Sequence, residues 1–557
     1  MGVDKGSKTI GHDGFDGSKS EVTVGESLQI PRNQLQRHLK NRQIQLIAIG
    51  GSIGTFIFVS IGGTLSKSGP ASLLIAWTLY SCVIALVNNC VAEMTVYMPV
   101  GGGFIRMAGK WVDDAWGFLA GWNFFIYEAL LVPFEITALT LVLSFWTDRI
   151  PAAAVCGVCI VLYGALNLLS VGVYGEAEFW LSGGKVVLLL IVFAFTFLTM
   201  VGANPQHDVY GFRYWNNPGA FAAYQSAGAL GQFEGFFAAL SNAIFAIVGP
   251  EYINLVAGES QHPRTYLKNA FKTIYWRFGL FFIGSALCVG IIVPYDDPTL
   301  LAILGGDTAG SGTAKASPYV IGMQNLGVDV LPHIVNALLL TSIFSAGNTY
   351  TYAAIRSLYG LALEGHAPVF LTRCTSSGVP IWCVGIVMLF PFLSFLQVSN
   401  STGQVLTWLV SVITAGGAMN YIVITTTYIF FYRACKAQEI DRSAFPYRAY
   451  LQPFCGYFSL VFLVLLVGAS GYASFAPWDT AGFVTSYAMV ILAPVLFFFW
   501  KVIKKTKFVK PLEADLVWEK PMIDEYEASI EDSPTGFWQE CIDMFRWRKA
   551  GGNDRSA

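Results

Sequence analysis

The sequence predicts an all-α membrane protein of about twelve transmembrane helices, and three observations predict it. First, the 557 residues are 54% hydrophobic and 15% aromatic but only 13% charged, and the mean hydropathy is +0.54. A soluble chain has roughly a quarter of its residues charged. Second, apolar runs such as VVLLLIVFAFTFLTMV, Val186 to Val201 with its flanks, reach the ~20 residues that a helix needs to cross a ~30 Å hydrocarbon core. The ~10-residue alternation of membrane strands is not seen. Third, lysine and arginine segregate to alternate loops, as they do in polytopic helical proteins.

Taken in order, residues 1–43 are polar and rich in Gly and Ser, without the apolar core of a cleavable signal peptide, and are expected to form a disordered cytosolic tail. The opening Met-Gly with Lys5 and Gly6 fits an acylation motif poorly. Apolar windows bounded by Gly, Pro and charge then place spans near 44–64, 71–98, 115–145, 152–171, 178–201, 235–257, 275–294, 331–362, 380–398, 403–432, 453–476 and 482–503. Several are long enough to imply tilt or extension beyond the bilayer. A cytosolic C-terminal tail, 504–557, closes the chain.

With the N-terminus inside, the inner loops carry Arg106, Lys110, Arg264, Lys268, Lys272, Arg277, Arg356, Arg373, Arg433, Lys436, Arg442 and Arg448. The outer loops keep Lys67, Arg149, Arg213 and Lys315. That asymmetry puts both termini in the cytosol. No basic stripe points to nucleic acid. The ten cysteines are scattered through apolar segments, with no paired CxxC motif, and are read as packing residues. The segment between spans five and six, 202–232, is read as an ordered external cap, with His207 and Asp208 a solvated pair.

The stretch IGGSIGTFIF, Ile49 to Phe58, has three glycines inside a membrane span. A helix breaks in lipid only where its freed backbone groups find protein partners or line a cavity. Such a break offers amides to a carboxylate and carbonyls to an ammonium. Close packing of helices through small residues is the other reading of this motif alone. A second interruption, FAIVGPEYINLVAGES, sets Gly249 and Pro250 in the middle of span six, followed by Glu251. Two breaks in matching positions of successive five-helix units point to a transporter with an inverted repeat, about 44–201 and 235–432, with two extra helices in 453–503.

Ionisable residues at membrane depth cost ~2.5–3.5 kcal/mol on insertion scales unless they face the interior. Glu135, beside Pro133, is mid-span, and Glu128 is two turns earlier on roughly the same face. Either can also be a protonated, hydrogen-bonded core carboxyl. Glu251 is a candidate for proton exchange. Lys185 begins the long apolar run of span five and can alternatively snorkel to the interface. Glu93 is expected to partner a loop cation or a helix end.

The motifs LKNRQIQLIAIGGSIGTFIFVSIGGTLSKSGPASLLIAW, EMTVYMPVGGGF, YGEAEFWLSGGKV, GPEYINLVAGESQHPR, SAGNTYTYAAIRSLYGLALEGHAP and FPYRAYLQP resemble those of fungal amino-acid permeases. These form the yeast amino-acid transporter branch of the amino acid-polyamine-organocation superfamily, and the resemblance covers about Arg37 to Lys510. It implies twelve helices of the leucine-transporter type, with broken first and sixth helices, and proton-coupled uptake of amino acids at the plasma membrane. It implies that the backbone of Gly54, Thr55 and Phe56 meets the substrate carboxylate. Carbonyls of Ile53, Phe245, Ala246 and Val248 then meet the ammonium, with Phe245 as an aromatic gate. It further implies that Glu251 takes part in coupling and that the Lys185 ammonium stands where sodium-coupled relatives bind their ion. The family usually has glycine where Phe56 stands and Thr or Ser where Pro250 stands; both departures point to an altered pocket.

The expected function is a proton-driven permease working by alternating access, with no cofactor beyond the proton gradient. Glu135 and Phe56 help to set which side chains fit, and an ionised Glu135 would favour cationic substrates. The alternative is an amino-acid sensor of the same fold. The tails can recruit ubiquitin machinery in either case. A channel suits two broken helices around a midplane site less well, and no HExxH or supported GxSxG motif points to an enzyme.

Overall fold

The computed structural model describes residues 37–543 apart from 38, 148, 170, 306–316, 400–401 and 476. The expected N-terminal tail falls almost wholly outside the described residues, as do Lys315 and residues 544–557.

The described chain is helical. It runs α1 (Asn41–Ser52), α2 (Ile61–Tyr97), α3 (Gly103–Trp111), α4 (Asp114–Leu143), α5 (Ala152–Leu168), α6 (Val171–Met200), α7 (Gly228–Ala246) and α8 (Pro250–Leu255). Next, α9 (Pro263–Arg277) passes through a π turn, Phe278–Ile283, into α10 (Gly284–Ile292). Then come α11 (Pro298–Gly305), α12 (Pro318–Asn325), α13 (Leu331–Leu363), α14 (Ile381–Val387), α15 (Thr402–Ala437), α16 (Phe454–Ala469), α17 (Thr480–Lys504) and α18 (Lys520–Ser529). Among the described residues, nine segments are long and apolar enough to cross a membrane. The shorter α5, the polar-faced α13 and the broken first span complete the predicted set. Ser342, Ser345, Asn348, Thr349 and Thr351 of α13 are buried, so that helix spends its polar residues inward.

Helices α4, α13 and α15 pack together at the centre, and α2 packs along α7. On the periphery, α5, α6, α16 and α17 turn out Val158, Val161, Leu190, Leu198, Val464, Leu465, Phe498 and Phe499. An apolar exterior over polar-faced inner helices is the arrangement a lipid solvent demands.

Spans one and two are separated by a single kink. Gly69 takes φ +74° within α2, ahead of Pro70, and a side chain there would come within 2.6 Å of the Ala222 amide nitrogen. The freed groups are recovered by the segment between α6 and α7: the Ala71 amide donates to the Ala220 carbonyl (2.9 Å), and the Ala222 amide to that of Ser68 (3.1 Å). In the same segment, Asp208 is paired with Arg213 at 2.6 Å.

The chain beyond α17 folds back over the face from which α1 starts. The Trp111 indole donates to the Asp515 carbonyl (2.9 Å), Arg106 pairs with Glu519 (2.6 Å), and Arg264 pairs with Asp524 (2.6 Å) and Glu527 (3.1 Å). Glu540 accepts from the backbone amides of Asn41 (3.3 Å) and Arg42 (2.9 Å), capping α1 where its first amides have no helical partner. The first described residues and the C-terminal segment therefore share one face. Glu93 accepts from the Arg442 guanidinium at 2.8 and 2.9 Å and from the Ala449 amide at 3.0 Å, the loop-cation pairing expected of it.

Candidate functional site: two interrupted helices and buried carboxyls

Both predicted breaks are present, and they are conformationally alike. Helix α1 stops at Ile53 with φ −95° and ψ 90°, and α7 stops at Ile247 with φ −104° and ψ 93°. The chain resumes at the short 3-10 turn Thr55–Ile57 in the first case and at Pro250 in the second. Pro250 suits the first turn of a helix, where its missing amide has no intrahelical role. Gly249 holds φ 151°, a region open to glycine alone. The last carbonyls of α1 and α7 are freed at these points. Ile53, Phe245 and Ala246 thus stand at helix ends, and Val248 stands in the second gap.

The first break is clamped by Glu135 of α4. Its carboxylate accepts a hydrogen bond from the Thr55 hydroxyl, and the Thr55 amide lies close by. A side chain at Gly54 would come within 3.0 Å of the Tyr350 hydroxyl and 3.3 Å of Glu135, so a larger residue there would push on both of the groups that hold the turn. The Tyr350 hydroxyl donates to the Gly51 carbonyl (3.3 Å), satisfying one freed group. Lys185 is fully buried, and its ammonium is within electrostatic reach of Glu178 and Glu135. Glu178 in turn accepts from Ser182 (2.6 Å) and Ser345 (2.5 Å).

Phe56 is 4% exposed and meets Phe245 edge-on, with ring centroids 5.0 Å apart. Phe134 meets the other side of Phe245 at 5.1 Å, and Trp77 is 6.3 Å from Phe56. An aromatic wall thus joins the two breaks. At the second break, Glu251 accepts from the Gly249 amide (3.1 Å) and the Tyr421 hydroxyl (2.8 Å).

All the residues expected from the sequence are therefore buried around the two breaks. Glu135, Glu128, Glu251 and Glu178 are all within electrostatic reach of the Tyr350 hydroxyl. The sequence reading missed the tyrosines of the site: Tyr127, Tyr252, Tyr350 and Tyr421 are all buried. The available signal was a hydroxyl recurring on apolar helices, in FFIYEALL, GPEYINL and GNTYTYAA. Membrane depth makes such a hydroxyl seek a partner.

A multi-span helical bundle whose two interrupted helices meet buried carboxyls, an ammonium and aromatic rings defines a membrane transporter for a small polar solute. The sequence profile of the amino acid permease family matches residues 43–513, and the chain belongs to that family. It is 41% identical to the general amino acid permease AGP2 of Saccharomyces cerevisiae over 90% of this chain and 85% of the relative. It is 36% identical to the dicarboxylic amino acid permease of the same yeast, over 92% and 85%. It is 32% identical to the lysine/arginine permease CAN1 of Candida albicans, over 89% and 86%. The family moves amino acids through membranes, and this chain is a multi-pass membrane protein of that kind.

Proposed function

We propose that this chain imports amino acids across the plasma membrane together with protons, by alternating access, with both termini in the cytosol. The observation that carries this reading is the occupation of the first break by Glu135, which bonds the Thr55 hydroxyl at the spot where a substrate carboxylate would dock. Two anions cannot share that spot, so the substrate carboxylate enters when Glu135 takes up a proton and gives up its charge. The amides of Gly54, Thr55 and Phe56 then face the carboxylate, and the carbonyls of Ile53, Phe245, Ala246 and Val248 face the ammonium. Lys185 holds the charge balance beside Glu135, and Glu251 links the second broken helix to α15 through Tyr421. The driving force is the proton gradient.

The spread of charge in the relatives' names, dicarboxylic in one and lysine/arginine in another, supports an amino-acid headgroup site with a variable side-chain site. The inward face would carry the basic loops and the folded C-terminal segment, where ubiquitin machinery would act.

The experiment is uptake of labelled amino acids into proteoliposomes with and without an inward proton gradient. Gradient-dependent accumulation that a protonophore abolishes is the expected result. Saturable binding with no accumulation under any gradient would replace this reading with the sensor.

A further inference from the structure

Glu128 is a buried carboxyl for which neither the fold nor the headgroup site has a use. It is 0% exposed, and neither carboxyl oxygen has a hydrogen-bond partner. No described cation is paired with it. The neighbouring Tyr252 hydroxyl interacts with it, but at a geometry looser than a normal hydrogen bond. A second carboxyl, Glu251, is within electrostatic reach, and it already has the Gly249 amide and the Tyr421 hydroxyl. Leaving a buried polar group unpaired costs about 1–3 kcal/mol, and more for a charge, so a site of this kind calls for a partner that comes from elsewhere.

We propose that Glu128 receives a positively charged side chain of the transported amino acid, so that this permease selects cationic substrates. This rests on the import reading above and names the substrate class of the same site. Glu128 and Glu135 are on one helix seven residues apart, roughly 10 Å along its axis. Glu135 marks the headgroup end, because it holds Thr55 at the first break. Glu128 therefore stands where a flexible side chain ending in a cation arrives once the headgroup is seated. Tyr127, Tyr252 and Tyr350 are within electrostatic reach of it, and an aromatic ring attracts a cation and not an anion. A dicarboxylic substrate would bring a further carboxyl beside Glu128 and Glu251 with no cation to meet it, and a neutral side chain leaves Glu128 without a counter-charge. A cation meets both requirements.

The test compares near-isosteric pairs in proteoliposomes holding the full chain: lysine against norleucine, and arginine against citrulline. The wild-type protein is expected to prefer the charged member by tenfold or more. In Glu128→Gln that ratio collapses toward one, while Glu128→Asp, which keeps the charge, retains part of it. Thermal melting of both variants separates loss of preference from loss of folding. Equal handling of charged and neutral members by the wild type, or an unchanged ratio in Glu128→Gln, overturns the proposal. Uptake of norleucine without lysine would sink it and leave the import reading standing, whereas no uptake of any amino acid would sink the import reading itself.

Discussion

Glu135 is held at the first break through the Thr55 hydroxyl, and Lys185 is its buried neighbour of opposite charge. Removing the charge and keeping the shape separates binding from coupling. Glu135→Gln is expected to retain exchange of internal for external substrate and to lose accumulation under a proton gradient. Counterflow and gradient-driven uptake measured on the same proteoliposomes check this, and gradient-driven accumulation at the wild-type level would remove Glu135 from coupling. Phe56 is explained by packing as well as by function, since it meets both Phe245 and Trp77. Phe56→Gly removes the ring from that wall and is expected to widen the range of accepted side chains, at a stability cost of roughly 3–5 kcal/mol for a lost buried aromatic. A competition panel against one labelled substrate reads the first effect and thermal melting the second. A narrower or unchanged panel would mean that Phe56 is there for packing alone.

At the scale of elements, the interruptions are tolerated because freed groups such as the Gly51 carbonyl and the Gly249 amide are met by protein. The Gly69 kink depends on the segment between α6 and α7, whose Ala220 and Ala222 backbone atoms bond Ala71 and Ser68. A side chain at Gly69 meets both the left-handed backbone and the Ala222 amide. Gly69→Ala is therefore expected to cost more than the ~1–2 kcal/mol of the backbone conformation alone. It should also loosen the cap between α6 and α7, which limited proteolysis within residues 201–227 would report. Unchanged cleavage and melting would show that the kink does not need the cap. The two main breaks differ from this one. The first is closed by side chains from other helices, Glu135 and Tyr350, and the second by Glu251 of α8 itself, which takes the Gly249 amide and is held by Tyr421 of α15; a competing ligand can reopen both.

The whole molecule has an apolar exterior and one face tied together by the returning C-terminal segment. Leu516 and Ile523 are 2% and 3% exposed, and burying each is worth about 1.5–3 kcal/mol. Deletion of residues 514–557 is expected to lower the melting temperature in detergent and to uncap α1, which loses Glu540. A truncated protein that melts with the full-length chain would show that the segment adds no stability. The same strap weakens in acid. Asp524 is partly desolvated, which raises its pKa, but bonds from Lys520 and Arg264 outweigh this and hold it below the ordinary aspartate value of 3.8. A depressed carboxyl stabilises the folded state above that value, and the contribution is lost as pH falls through the depressed one. The melting difference between full-length and truncated chains should accordingly narrow at the acid end.

The sequence by itself determined the solvent, the helices and the two breaks. Hydropathy and length are local properties of a chain that must cross ~30 Å of hydrocarbon, and clustered glycines or a Gly-Pro pair weaken a helix locally. Glu135, Glu251 and Lys185 were legible for the same reason, since a charge at membrane depth must face inward. Only the tertiary structure decided what met them. The Glu135 bond to Thr55, the Phe56 contact with Phe245, the tyrosines around Glu128 and the C-terminal strap across α1 join residues tens to hundreds of positions apart. No local pattern encodes such distances; they arise only when helices remote in the chain pack together, as α4 does with α13 and with α15.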